Sequence, residues 1–265
     1  MPFFTSNGAN VHIDVAGNGV PVLFVHALTL DHRQWTPQCE SLVDTYRVLR
    51  PDVRGHGRSA SATRGHGWDG IAADVRRAMV QAGMQRQQPG FLVGHSLFAD
   101  AVLQCALAEP RSLKGVVVVS PAVWGQEFSA SWKALLEKMR ALAHQGRVDA
   151  ALDVLRDDAM FRGVRADPDL DAMLRSMQEG FSGDWLRADE SVHGQPTLER
   201  IEGCKVPILV VRARHDREDF HVGAHAIAAR AARAHVVEID SGHFPNLEAP
   251  DLFNRTLRDF LQEHD

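Results

Sequence analysis

The sequence is poor in cysteine. It has three in 265 residues (Cys39, Cys105 and Cys204), and none stands in a C-x-x-C pair. That argues against a disulfide scaffold, a thiolate zinc site or a dithiol redox motif. Such sparse, odd usage fits a reducing, cytoplasmic setting. Positive charge is not in excess: 29 Lys and Arg against 34 Asp and Glu give a net charge of −5, which disfavours nucleic acid or an anionic membrane as partner. No stretch approaches the roughly 18–20 apolar residues of a membrane helix, and the opening MPFFTSNGAN lacks the basic and apolar regions of a secretory signal. Tyrosine occurs once, at Tyr46. There is no internal repeat and no low-complexity tract. What remains is a globular composition, 45% hydrophobic and 24% charged, at a length that allows one large domain or two small ones.

Short apolar runs alternate with helical periodicity. Phe3-Phe4 and Val11 to Val15 flank an Asn7-Gly8 turn and read as strands. Pro21 to His26, Tyr46 to Asp52, Gly90 to His95, Leu113 to Ser120, Val206 to Arg212 and His235 to Asp240 read as further strands, several apolar on both faces. Helices are predicted over 69–83, Leu97 to Glu109 and Asp251 to Glu263 from apolar residues three and four apart. Residues 121–203 show helical periods only and carry Trp124, Trp132 and Trp185. The pattern predicts an α/β fold: a mostly parallel central sheet with helices on both faces. The expected division is a core of residues 1–120 and 204–265, with 121–203 inserted as a helical cap over the C-terminal edge of the sheet. Open α/β sheets place their ligands at that edge.

Chemistry concentrates at three strand ends. Gly94-His95-Ser96-Leu97 joins a strand to a helix, a turn that exposes a serine Oγ above the sheet and beside free helix N–H groups. Asp216 follows the strand ending at Arg212, and Gly242-His243 follows the strand ending at Asp240. A serine needs a histidine to take its proton and a carboxylate to orient that histidine.

Five segments in order resemble the α/β-hydrolase superfamily, in its small, capped, esterase- and lactonase-like branch. They are PVLFVHA, RPDVRGHGRS (Arg50–Ser59), VGHSL, VPILVVRARHD and SGHFPNLEAPDLF (Ser241–Phe253). FSGDWLRAD resembles a cap-exit segment. The resemblance implies Ser96 as nucleophile, His243 as general base and acid, and Asp216 as orienting acid, with Asp219 as the fallback. It implies the backbone N–H groups of Leu97 and Leu28 as oxyanion donors, and it requires no cofactor and no metal. His26 and His95 are read as structural, Asp100 as a complement to the positive end of its helix, and Trp124 and Phe98 as pocket walls. The chain departs from the family at three places. Phe98 and Ala27 stand where glycine is usual, so Ala27 carries a steric cost if its φ is positive. The acid loop reads Ala213-Arg214-His215-Asp216.

The implied activity is hydrolysis of an ester or lactone of a small, largely apolar substrate through an acyl-enzyme, with that small molecule as the expected partner. A carbon–carbon bond hydrolase uses the same three residues and stays open. So does a cofactor-free dioxygenase, echoed by Asp31-His32-Arg33 and His243-Phe244-Pro245, and so does a ligand receptor without catalysis. Ser96 argues against epoxide hydrolases and haloalkane dehalogenases, which need a carboxylate nucleophile. Oligomeric state is not legible in the sequence.

Overall fold

The computed structural model describes residues 3–59, 61–62, 65–188 and 194–265. Eight strands form one sheet: β1 (Phe3–Ser6), β2 (Ala9–Ala16), β3 (Pro21–Val25), β4 (Arg47–Pro51), β5 (Gly90–His95), β6 (Leu113–Val119), β7 (Ile208–Ala213) and β8 (Ala234–Ile239). Their order is β1-β2-β4-β3-β5-β6-β7-β8. The β1–β2 and β2–β4 pairs are antiparallel and all the others parallel. Strand and helix positions read from the sequence agree with these elements to within two residues.

The central strands are buried on both sides, and alternation decides which side each residue serves. In β5, Leu92 faces one core layer while Phe91 and Val93 face the other; in β6, Val116 and Val118 oppose Val117 and Val119. The first layer is closed by α2 (Trp68–Gln81), α3 (Ala99–Ala108) and α10 (Glu218–Arg230). The second is closed by α1 (Thr36–Leu42) and α12 (Pro250–His264). Helix α12 presents Phe253, Leu257, Phe260 and Leu261 as one buried stripe. The sequence pattern does not announce α1 or α10. The first is two turns long, and the second is alanine-rich with a diffuse apolar face.

Between β6 and β7 the described residues form helices and turns: α4 (Ala130–His144), α5 (Val148–Arg156), α6 (Arg162–Ala166), α7 (Pro168–Gln178), α8 (Asp184–Arg187) and α9 (Thr197–Arg200). The FSGDWLRAD segment ends at Asp189, which lies outside the described residues, as do 190–193. This helical segment rests on loops at the C-terminal ends of the strands. Arg33 donates to Ser176 Oγ and O, both at 2.9 Å, and Gln178 Nε2 to Thr29 Oγ1 at 3.2 Å. The Ser182 N–H donates to Gly55 O at 2.9 Å.

The path from β5 into α3 is tight. A Cβ on Gly94 would stand 2.6 Å from Val102 Cγ2 and 3.0 Å from Ala99 Cα, so the strand and helix meet there as only glycine permits. Gly94→Ala should force α3 outward and lower unfolding free energy by about 1–3 kcal/mol. Urea denaturation of the purified variant beside wild type measures this.

Candidate active site

The helix-side end of β5 delivers Ser96 with φ 58°, a left-handed backbone at a non-glycine residue. This sharp turn aims the side chain out of the strand line while the chain enters a 3-10 turn (Ser96–Phe98) and then α3. Ser96 Oγ lies 3.0 Å from His243 Nε2. His243 Nδ1 donates to both carboxylate oxygens of Asp216, at 2.9 and 2.8 Å. An ionised carboxylate accepts only, so this bond places the histidine proton on Nδ1 and leaves Nε2 to accept from Ser96. The three side chains expected from the sequence therefore stand in one hydrogen-bonded chain. Each lies just beyond the C-terminal end of a parallel strand: β5, β7 and β8.

His243 is fully buried. Its ring sits among those of Phe220, His95 and Phe244, with centroids 4.3, 4.9 and 5.0 Å away. The Arg217 N–H donates to Asp216 Oδ1 at 2.7 Å. Glu248 holds the histidine loop from below, accepting from the Gly242 N–H at 2.8 Å and the Phe244 N–H at 3.1 Å. Asp219 does not share this place: it accepts from the backbone N–H and hydroxyl of Ser129, at 2.7 and 2.9 Å, beside Arg217.

Leu97 stands in the 3-10 turn after β5, and Leu28 in the loop after β3. The positive φ in the loop after β3 falls on Thr29 (73°) and not on Ala27. The alanine that replaces the usual glycine thus carries no left-handed strain. His26 and His56 brace this loop. His26 Nε2 accepts from the Val53 N–H at 2.8 Å and its Nδ1 donates to Ala27 O at 2.8 Å. His56 Nε2 accepts from the Thr29 N–H at 3.1 Å and its Nδ1 donates to Arg54 O at 3.0 Å. Burial lowers the pKa of both histidines, that of His56 to about 3, so each serves as a neutral donor–acceptor. Phe98 packs edge-on to both, 5.9 Å from His26 and 5.5 Å from His56. Its other side faces a narrow apolar crevice of only about 10 Å³, lined by Trp68, Ile71, Leu97, Phe98, Ala101 and Trp185. Trp124, expected as a wall, is absent from that lining. It is half-buried, and its backbone serves as a tie: the N–H donates to Asp100 and the carbonyl accepts from Leu198.

His12, His32 and Asp52 are the described residues that come nearest to a metal-ligand set, with one ligand atom from each lying within 4.8 Å of the others. Their observed bonding is already complete at the carboxylate. Asp52 accepts from His12 Nδ1 at 3.0 Å, His32 Nδ1 at 2.8 Å, and the backbone N–H groups of His32 and Arg58 at 2.7 and 2.9 Å. Burial alone would raise the Asp52 pKa; the His32 hydrogen bond and the neighbouring histidines more than offset it and hold the group below the usual carboxylate range. Arg33 pairs with Asp31 and Ser176. The Asp31-His32-Arg33 segment thus spends its side chains on Asp52 and α7.

The chain belongs to the alpha/beta hydrolase family. The family profile matches residues 22–256. A pimeloyl-[acyl-carrier protein] methyl ester esterase of Xanthomonas campestris is 26% identical over 95% of this chain and 98% of its own length. An acetyltransferase component of the acetoin cleaving system of Cupriavidus necator is 26% identical over 98% of this chain and 68% of its own. Among solved structures, the enol-lactonase of Burkholderia xenovorans superposes with a TM-score of 0.83 at 24% identity, covering 98% of this chain and all of that one. At that identity the likeness shows the fold.

Gln34 and Glu248 carry no signal in the sequence. Asp100 stands in the first turn of α3, as expected of an acid at the positive end of a helix, and is also fully buried, accepting from the Trp124 N–H at 2.9 Å, Gln104 Nε2 at 2.8 Å and Thr197 Oγ1 at 3.1 Å. It ties both ends of the helical segment to α3. Burial raises its pKa from 3.8 to about 6 despite these three bonds. Between those two values the folded protein holds a proton that the unfolded chain has released, so this group's contribution to stability is largest at low pH and falls as pH rises. Asp100→Asn removes that dependence. The unfolding free energy of wild type, relative to the variant, should drop by up to about 3 kcal/mol from pH 4 to pH 7, measured by denaturant titrations across that range.

Proposed function

We propose that the protein is a serine hydrolase that cleaves an ester or lactone of a small, largely apolar substrate. The observation that carries this reading is the chain Ser96 Oγ–His243 Nε2 at 3.0 Å and His243 Nδ1–Asp216 at 2.8 Å. Ser96 attacks the carbonyl carbon as its proton passes to His243 Nε2. The negative oxygen of the tetrahedral intermediate is held by the N–H groups of Leu97 and Leu28. The intermediate collapses, the ester C–O bond breaks, and His243 returns the proton to the leaving alkoxide. Water then attacks the acyl-enzyme with His243 again taking a proton, and Ser96 is released with the acid. Asp216 stays ionised, holding the imidazole in its Nδ1–H form and stabilising its transient positive charge. The helical segment 121–203 serves as the cap that closes the site from above. The esterase and lactonase names among the relatives and structural neighbours support the reaction class.

Ser96→Ala should abolish labelling by a fluorophosphonate probe and lower p-nitrophenyl acetate turnover by about 10⁴-fold or more. Asp216→Asn should cost about 10³–10⁴-fold, while Asp219→Asn should leave the rate within about tenfold. A folded wild type that neither labels nor turns over would overturn the proposal.

The crevice beside Phe98 is nearly filled, and this scarcity of room supports a short acyl group. Its walls carry no charged side chain, and Phe98 occupies space that glycine would leave open. Phe98→Ala should raise kcat/KM for p-nitrophenyl hexanoate relative to acetate by about tenfold or more, read from a chain-length series.

A further inference from the structure

Gln34 is fully buried and makes two side-chain bonds of opposite polarity. Its Oε1 accepts from the Ala27 N–H at 2.8 Å, and its Nε2 lies 2.7 Å from His95 Nδ1. The first bond fixes the amide orientation, because only the oxygen can accept from a backbone N–H. The amide nitrogen must then donate to His95 Nδ1. His95 Nδ1 therefore bears no proton, and its Nε2–H donates to the carbonyl of His243, 2.8 Å away. His95 is fully enclosed as well, and burial together with the neighbouring His243 keeps its pKa well below 6.5. Every proton along this path is assigned by its partners.

The path runs from one functional loop to another. Ala27 precedes Leu28, one proposed oxyanion donor, and the carbonyl that His95 holds belongs to His243, the proposed base. A second tie runs beside it: Asn246 Nδ2 donates to Gln34 O at 3.1 Å, and Gln38 Nε2 donates to Asn246 O at 3.0 Å. Gln34 thus bonds the oxyanion loop through its side chain and the histidine loop through its backbone and through His95.

We propose that Gln34 and His95 form a positioning relay that sets the Leu28 N–H and the His243 imidazole in register for catalysis. The proposal rests on the hydrolase reading above. Neither residue touches the substrate; both act through the groups they hold. The relay needs a residue that accepts at one end and donates at the other. A methionine of similar shape does neither, and a glutamate accepts at both ends. With glutamate at position 34, His95 must take a second proton to keep both of its bonds, which places a positive charge beside His243.

Two readouts test this. In ¹⁵N imidazole spectra of wild type, His95 should show a bare Nδ1 and a protonated Nε2 from about pH 5 to pH 9; a protonated Nδ1 would overturn the relay whatever the activity. Gln34→Met should lower kcat by about 10–100-fold, a size typical of small misplacements, with KM within about threefold. A bond felt mainly in the transition state is lost in this way. Fluorophosphonate labelling should slow in parallel. Gln34→Glu should retain more activity than Gln34→Met and add an ionisation to the pH–rate profile. Wild-type kcat and labelling rates in Gln34→Met would sink the proposal. If Gln34→Met does not fold, the Gln34→Glu profile and the wild-type spectra still decide. Absence of Ser96 labelling in folded wild type would instead sink the hydrolase reading, leaving the tautomer of His95 to judge the geometry.

Discussion

The structure turns on one strained residue. Ser96 holds φ 58° between a strand buried on both faces and the helix that packs back against it. The strand direction is fixed by two core layers, and the helix direction by its contact at Gly94. The side chain between them has one way to point. From that turn follow the 3.0 Å approach to His243 and the placing of Phe98 and, one turn on in α3, Ala101 against the apolar crevice. The same helix carries Asp100 inward to the two ends of the helical segment. A strained backbone angle of this kind costs roughly 1–3 kcal/mol, and the burial of β5 and α3 offsets it.

Around that turn, three buried imidazoles are hydrogen-bonded at both ring nitrogens. His26, His56 and His95 each accept at one ring nitrogen and donate at the other. Neutral imidazole does both jobs from one rigid ring, as the Gln34 amide does beside it. Enclosure keeps these rings uncharged, so the interior near His243 gains hydrogen bonds without gaining positive charge. His243 differs in having a carboxylate on one side and a hydroxyl on the other. In the proposed mechanism it is the ring that takes the proton from Ser96, with Asp216 at hand to balance the charge.

Strand and helix positions were legible because they depend on local periodicity and turn chemistry. β5 reads as apolar on both faces, and α12 as one stripe of Phe253, Leu257, Phe260 and Leu261. Ser96, Asp216 and His243 were legible because each stands at a strand end in a recognisable order. Gln34 was not, since its partners Ala27 and His95 lie 7 and 61 residues away and nothing near it in sequence shows a need for an amide. The tertiary bonds of Asp100 are hidden for the same reason. Its helix position is evident locally, whereas its bonds to Trp124 and Thr197 depend on how the segment after β6 returns. The strain expected at Ala27 falls on Thr29, because loop conformation follows from the two histidines that brace it.

The two departures from the family at 27 and 98 are physically linked. Phe98 lies edge-on to His26 and His56, the rings that hold the backbone on either side of Leu28. Glycine at 98 would leave those rings without a packing partner on that side and open the loop toward the cavity. The phenyl ring therefore does two things at once: it shortens the cavity and stiffens the loop from which one oxyanion N–H is proposed to point. A smaller residue at 98 gives room to a longer acyl group while loosening that loop. Acyl preference and turnover rate are consequently coupled through this single side chain, and a gain in one comes with a loss in the other unless His26 and His56 find new support.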